Sequence, residues 1–201
     1  PCINPDGYEY TWTNTRLWRK NRRQITSTNW GVDLNRNFPT GWGGSGSSGN
    51  SSSETYRGPS ALSEAESAAY NGFMQSVPNL RGVIDYHTYS QLVLFPWGYT
   101  SNQIPTADYN RHRTLGLQIV SAIQGATGEN FITGPISTTL YLASGGSIDH
   151  WYQTRQALSF TIEARDTGSY GFLMPESEIL PNITENYAGF QQLLKTVAAN
   201  P

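Results

Sequence analysis

Gly82-Val-Ile-Asp-Tyr-His-Thr-Tyr-Ser-Gln91 decides the fold. It reads as a buried strand that ends in polar residues. On either side of it, helical and extended patterns alternate. Upstream, Ser63 can cap a helix running to about Val77, with Glu66 at the reciprocal position of a capping box. Downstream, strand signals cover 92–97, and a helix fits 106–126 with Leu115, Leu117, Ile119, Val120 and Ile123 as its apolar positions. A short helix follows Gly146, and Ala157-Leu-Ser-Phe-Thr-Ile-Glu163 reads as a strongly apolar strand. The segment Glu185–Ala199 reads as an amphipathic helix with Tyr187, Phe190, Leu193, Leu194 and Val197 facing inward. Apolar strands separated by helices predict an α/β domain whose sheet is covered on both faces.

The remaining segments are loops by their composition. Asn4-Pro-Asp-Gly7 is a turn signal, followed by the short alternating stretch Tyr8-Glu-Tyr-Thr-Trp12. Residues 39–60 are rich in Gly and Ser. No strand leads into them and no Gly-Lys-Ser ending follows, so they read as a solvated surface loop and not as a phosphate cradle. The 201 residues suffice for one sizeable domain. A net charge of −2 argues against nucleic acid or an anionic membrane as the main partner. Charged residues make up only 14%, and the polarity comes from Ser, Thr, Asn, Gln and Gly, a balance common in secreted proteins. The sequons Asn50-Ser-Ser52 and Asn182-Ile-Thr184 point the same way. Cys2 is the single cysteine: either a small buried residue or a thiol whose disulfide mate lies in an upstream segment. The start at Pro1 reads as a processed or truncated end.

Four segments can carry chemistry, besides a histidine that stands apart. His87 is either a structural histidine or one third of a metal site, since a catalytic zinc takes about three protein ligands plus an open position. In Gly31-Val-Asp-Leu-Asn-Arg-Asn-Phe38, Arg36 can grip a carboxylate bidentately and Asn35 can add a donor. A strand-end salt bridge explains the same residues as well. Arg16 and Arg19 are three apart and share a face if helical. They are either cations for a developing oxyanion or a solvated patch. Glu163 lies near the end of an apolar strand, where desolvation raises a carboxyl pKa towards general-base range, unless Arg165 pairs with it. Leu140-Tyr-Leu-Ala-Ser-Gly-Gly-Ser-Ile-Asp149 could carry Tyr141 on a mobile arm or be a plain connector.

Taken in order, NPDGY, RLWRK, GVDLNRNF, DYHTYSQ, LYLASGGSID and FTIEARDTGSYGF resemble the zinc metallocarboxypeptidases of the digestive A/B type over essentially the whole chain. The resemblance implies a mixed, mostly parallel central sheet with helices on both faces, the N-terminal strands of which would lie before Pro1. Residues 1–201 would then be the C-terminal portion of one catalytic domain. It also implies a role for each matched residue. His87 would be a zinc ligand, in a motif with Thr88 where the family has Ser. Glu163 would be the base acting on zinc-bound water, Arg19 the oxyanion-stabilising cation and Arg16 the outer Arg beside it. Asn35, Arg36 and Tyr141 would bind the substrate's terminal carboxylate, and Asp33 would orient the first zinc histidine. Ile148, with Ala143 and Gly146 nearby, would form the floor of the side-chain pocket. Ile stands where Lys/Arg-preferring branches carry an acid, which implies hydrophobic or aromatic C-terminal residues as substrate.

The sequence also departs from the family at the other zinc ligands. The His-x-x-Glu pair that supplies the other two zinc ligands does not occur in it, and Asp85, which shares the strand face of His87, makes a poor substitute. Three readings stay open. The chain is part of a secreted, monomeric metallocarboxypeptidase with one zinc and an N-terminal propeptide, or a non-catalytic relative that binds peptide C-termini, or a structural or storage protein. The presence of Glu163, Arg19 and His87 together favours the first. On that reading these residues alone bind zinc poorly, hydrolyse little and fold poorly by themselves.

Overall fold

A computed structural model describes residues 2–199; Pro1 lies outside them. Four strands form one sheet in the order β1-β4-β2-β3, with β1 at Gly82–Thr88, β2 at Leu92–Phe95, β3 at Ile132–Pro135 and β4 at Leu158–Ala164. β1 pairs with β4 and β2 with β3 in parallel, while β2 and β4 run antiparallel. The sheet is thus mixed and mostly parallel, and β4, buried at every position, is its spine. Burial on both faces selects the apolar residues Leu158, Phe160 and Ile162 on one side, while the alternate positions Ser159, Thr161 and Glu163 face the other.

Alternation along β4 divides the core in two. Leu158, Phe160 and Ile162 join Val93 and Phe95 under Leu115, Ile119 and Ile123 of helix α3 (Thr106–Thr127) and Leu193 of helix α6 (Ile179–Ala199). On the opposite face, Ala157 and Val83 meet Ile148 and Trp151 of helix α5 (Ser147–Arg155), Met74 of helix α2 (Ala65–Ser76), and Phe38. Each Val, Leu, Ile, Phe or Met among them contributes about 1.5–3 kcal/mol on full burial. Ser159, Thr161 and Glu163 share this second face. Polar residues on a buried strand face mark the place where the core gives way to a site.

Several elements differ from the sequence expectation. Tyr8–Trp12 is helical, within helix α1 (Pro5–Thr13): the Asn4 side chain accepts from the Gly7 N–H at 3.1 Å and Pro5 occupies the first turn, so the expected turn signal is a helix start. Ser63 does not cap α2. Its hydroxyl donates to Glu64 at 2.6 Å, and the Glu66 carboxylate accepts from Asn21 and does not reach back to the cap. α6 starts six residues before Glu185, and Pro181 is tolerated in its first turn, where no N–H is needed. Of its expected inward residues, Leu193 is buried while Tyr187, Phe190 and Leu194 are exposed; Leu117 of α3 is exposed too. β3 and the helical turn α4 (Ile136–Thr139) carry no clear periodicity. The Gly/Ser-rich segment has no regular element and lies at the surface as expected, anchored at Thr40, Tyr56 and Gly58, which are buried. Cys2 is free and exposed, against the buried alternative. No helix among the described residues is long and apolar enough to cross a membrane.

β1 pairs on one side only, with β4, and its outer flank meets a groove lined by Tyr86, Ile179, Ile183, Tyr187 and Phe190. An unpaired strand edge beside exposed apolar side chains favours self-association. The isolated 201-residue chain is therefore expected to aggregate and to melt without a sharp transition. Scanning calorimetry at several concentrations checks this, and a cooperative, concentration-independent melt would contradict it.

Candidate active site

The β1/β4 register sets His87 opposite Glu163 and Asp85 opposite Thr161. The Nε2 of His87 lies 3.1 Å from Asp85 Oδ2 and 3.1 Å from the Asn35 amide nitrogen. Asn35 is fixed in that orientation because its Oδ1 accepts the Ser147 N–H at 3.0 Å. One ring nitrogen thus faces an acceptor and a donor, and it can satisfy only one of them. Burial opposes protonation of His87, but Asp85, with Glu163 behind it, outweighs burial and raises the imidazole pKa. Burial likewise pushes Asp85 up, and the attraction of His87, with hydrogen bonds from His87 and from the Ser147 hydroxyl at 2.7 Å, holds it below the usual carboxylate range.

Glu163 is 8% exposed. Burial raises its pKa, offset only in part by His87 and Arg19. The alternative pairing with Arg165 does not occur. Arg165 turns away to Glu178 and Glu185, the latter at 2.5 Å, and leaves Glu163 without an ion pair among the described residues. Of the three carboxylates Arg165 pairs with, Glu178 comes from the segment leading into α6 and Glu185 from α6 itself, so the end of β4 is tied to that helix; the third, Glu129, lies 3.5 Å away.

A cleft of about 230 Å³ collects the expected residues: Arg19, Asn35, Arg36, His87, Tyr141, Ala143, Gly146, Ile148 and Glu163 all line it. Arg36 is 4% exposed, with Nε donating to Gly46 O and one terminal nitrogen to Asn35 O, both at 2.8 Å. Two glycines make this approach possible. Gly46 has φ +78°, and a Cβ there would fall 1.7 Å from Leu142 O; Gly145 has φ +78°, and its Cβ would fall 2.3 Å from Arg36 O. Tyr141, 52% exposed, stands at the rim. Arg16 does not line the cleft; residues 15–18 form a turn and not a helix, so it shares no helical face with Arg19 and borders the groove beside β1 instead. Asp33 is engaged by Arg19, whose Nε donates to it at 3.0 Å, and this attraction raises the guanidinium pKa against the opposing effect of burial. Thr88, Tyr89, Ser90, Thr161 and Phe172 also line it, with the apolar Leu94, Ile136 and Leu140. Most of these sit inside the quoted motifs, but without residue patterns of their own to single them out.

One imidazole beside one carboxylate falls short of the three ligands a catalytic zinc takes. No group of three His, Cys, Asp or Glu among the described residues could hold a metal ion. By themselves these residues do not form a zinc centre.

Residues 1–189 match the zinc carboxypeptidase family. The chain belongs to that family. It is 41% identical to bovine (Bos taurus) carboxypeptidase A1 over 98% of its length and 47% of that protein's. It is 40% identical to metallocarboxypeptidase A of the fungus Arthroderma otae over 98% of its length and 48% of that protein's. The chain spans about half the length of the curated relatives it matches. Among solved structures, bovine thrombin-activatable fibrinolysis inhibitor in complex with a tick carboxypeptidase inhibitor superposes at a TM-score of 0.94, with 37% identity, covering 100% of this chain and 69% of that one. Carboxypeptidase A from Helicoverpa armigera gives 0.89 at 31% identity, covering 100% of this chain and 51% of that one.

This carboxypeptidase-family cleft also contains an acid that the sequence gave no reason to single out. Asp149 lines it beside Ile148, with Oδ2 accepting the Gly98 and Tyr99 N–H groups at 2.9 and 3.0 Å. Burial raises its pKa to about 7, against the lowering effect of those two amides. A folded-state pKa above the unfolded value of about 3.8 means the native state holds the proton through the interval between them. The Asp149 contribution to stability is therefore full below about pH 4 and declines as pH rises towards about 7. In the intact protein, Asp149→Asn is expected to flatten the pH dependence of the denaturation midpoint across that range, since an amide oxygen can still accept both N–H groups.

Proposed function

We propose that the intact protein is a metallocarboxypeptidase that removes a C-terminal hydrophobic or aromatic residue from peptides. The observation that carries this reading is the placing of Arg36, buried and with its fork half engaged, in the wall of the same cleft as Glu163. A substrate's terminal carboxylate meets a preset guanidinium, aided by Asn35 and the Tyr141 hydroxyl. Glu163, with its raised pKa, is suited to take a proton from water and pass it to the leaving amine. Arg19 supplies a cation at the mouth for the developing oxyanion. Ile148, Ala143 and Gly146 leave the pocket floor apolar, and Asp149 spends both of its oxygens on backbone amides. The family's zinc would contribute Lewis acidity; His87 is the one imidazole here that could ligate it, and its further ligands would come from outside these residues. Composition and the two sequons support secretion.

Two measurements test the assignment. The intact protein should release C-terminal Phe or Leu in preference to Lys or Arg, and Ile148→Asp should shift that preference towards the basic residues. In the same assay Glu163→Gln should lower kcat about 10²–10⁴-fold with little change in KM. Failure to release any terminal residue, with peptide binding retained, would favour a second reading, a relative that only captures C-termini; the lack of a three-ligand group among the described residues supports it. The 201-residue chain alone is expected to bind zinc weakly, as equilibrium dialysis with metal analysis would show. Stoichiometric tight binding would contradict the proposal that ligands lie elsewhere.

A further inference from the structure

Two segments carry the Asn-x-Ser/Thr acceptor pattern, and the fold presents them in opposite ways. At Asn50 the chain makes a tight turn on the protein surface, with Ser53 N–H donating to Asn50 O at 3.0 Å. The middle residue is anchored inward: Lys20 Nζ donates to Ser51 O and Asn29 Nδ2 to Ser51 Oγ, each at 3.0 Å. The flanking Asn50 and Ser52 are both exposed. The Ser52 hydroxyl donates to Asn50 Oδ1 at 2.9 Å and its N–H to the same oxygen at 3.0 Å. Hydroxyl and carboxamide are therefore already in contact, while Nδ2 of Asn50 makes no hydrogen bond to the described residues.

Asn182 lies in the first turn of α6, and in a helix residues i and i+2 do not face each other. The Thr184 hydroxyl accordingly turns back to Leu180 O at 2.9 Å and makes no bond to Asn182. Asn186 takes the Asn182 Oδ1 at 2.7 Å, and the side chain is half-buried in the groove beside β1, where a glycan would stand against Tyr86 and Ile183.

We propose that Asn50 is an N-glycan attachment site and that Asn182 remains unmodified. The inference rests on the secretory location proposed above. In the step, Nδ2 of Asn50 attacks the anomeric carbon of a lipid-pyrophosphate-linked oligosaccharide. The N–C bond forms, the anomeric C–O bond breaks with its electron pair leaving on the lipid pyrophosphate, and the amide proton passes to a base of the transferase.

The test expresses the intact protein in a eukaryotic host behind a signal peptide of proven function. Entry into the lumen is then imposed, and the outcome reads the site itself, independent of the natural location or hydrolytic activity. Glycopeptides are analysed from both lumenal and secreted protein, with and without N-glycosidase, so that a variant retained through misfolding is still read. One N-glycosidase-sensitive glycan is expected, on the peptide containing Asn50. It is lost in Asn50→Gln and Ser52→Ala, kept in Ser52→Thr, and unchanged in Asn182→Gln. An unmodified Asn50, or a glycan on Asn182, overturns the proposal.

Discussion

The parallel pairing of β1 with β4 places His87 of one strand beside Glu163 of the next, on the face that α5 covers only in part. Because side chains alternate across a strand, this single register also sends Asp85 and Thr161 to the site, and Leu158, Phe160 and Ile162 to the core under α3 and α6. A slip of one residue would bury Glu163 among apolar side chains and turn Phe160 into the cleft. Core packing and site geometry therefore depend on the same hydrogen-bonded ladder. The Arg165 ion pairs secure its far end by tying it to α6.

Charge within the cleft is arranged by sign. Arg19 and Arg36 border it as cations, Asp85 and His87 hold each other charged, and Glu163 is left without a direct partner among the described residues. Burial acts on Arg19, Asp85, His87, Glu163 and Asp149, but its effect is outweighed where an opposite charge lies near and survives at Glu163 and Asp149. Desolvation unopposed by pairing raises a carboxyl pKa, and it distinguishes these two acids from Asp85, which His87 holds below the usual range.

Much of this was legible from the residues. The strands at 82–88 and 157–163 and the helix at 106–126 follow from apolar patterning, because burial selects for it directly. The expected site residues gather in one cleft apart from Arg16, since each lies in a motif whose order implied the family. What stayed hidden depends on tertiary contact. Asn4-Pro-Asp-Gly7 signals a turn or a helix start equally well, and the capping bond decides. The exposure of Tyr187 and Phe190 cannot be read from helical periodicity, which fixes a stripe but not what lies against it. Asp149 looks like any first-turn helical acid until the Gly98 and Tyr99 amides are seen to meet it.

If the proposed function holds, the half-engaged fork of Arg36 has a consequence for molecules that resemble a peptide C-terminus. Two of its nitrogens are committed to backbone carbonyls at 2.8 Å, so the guanidinium plane is locked before anything arrives. A ligand need not spend conformational entropy to organise it. The same rigidity makes the site intolerant: an amidated or esterified terminus brings no charge to a cation that cannot swing out to solvent. A peptide bond in the middle of a chain brings none either. On the function proposed above, the geometry around one arginine would discriminate between the end of a polypeptide and its interior.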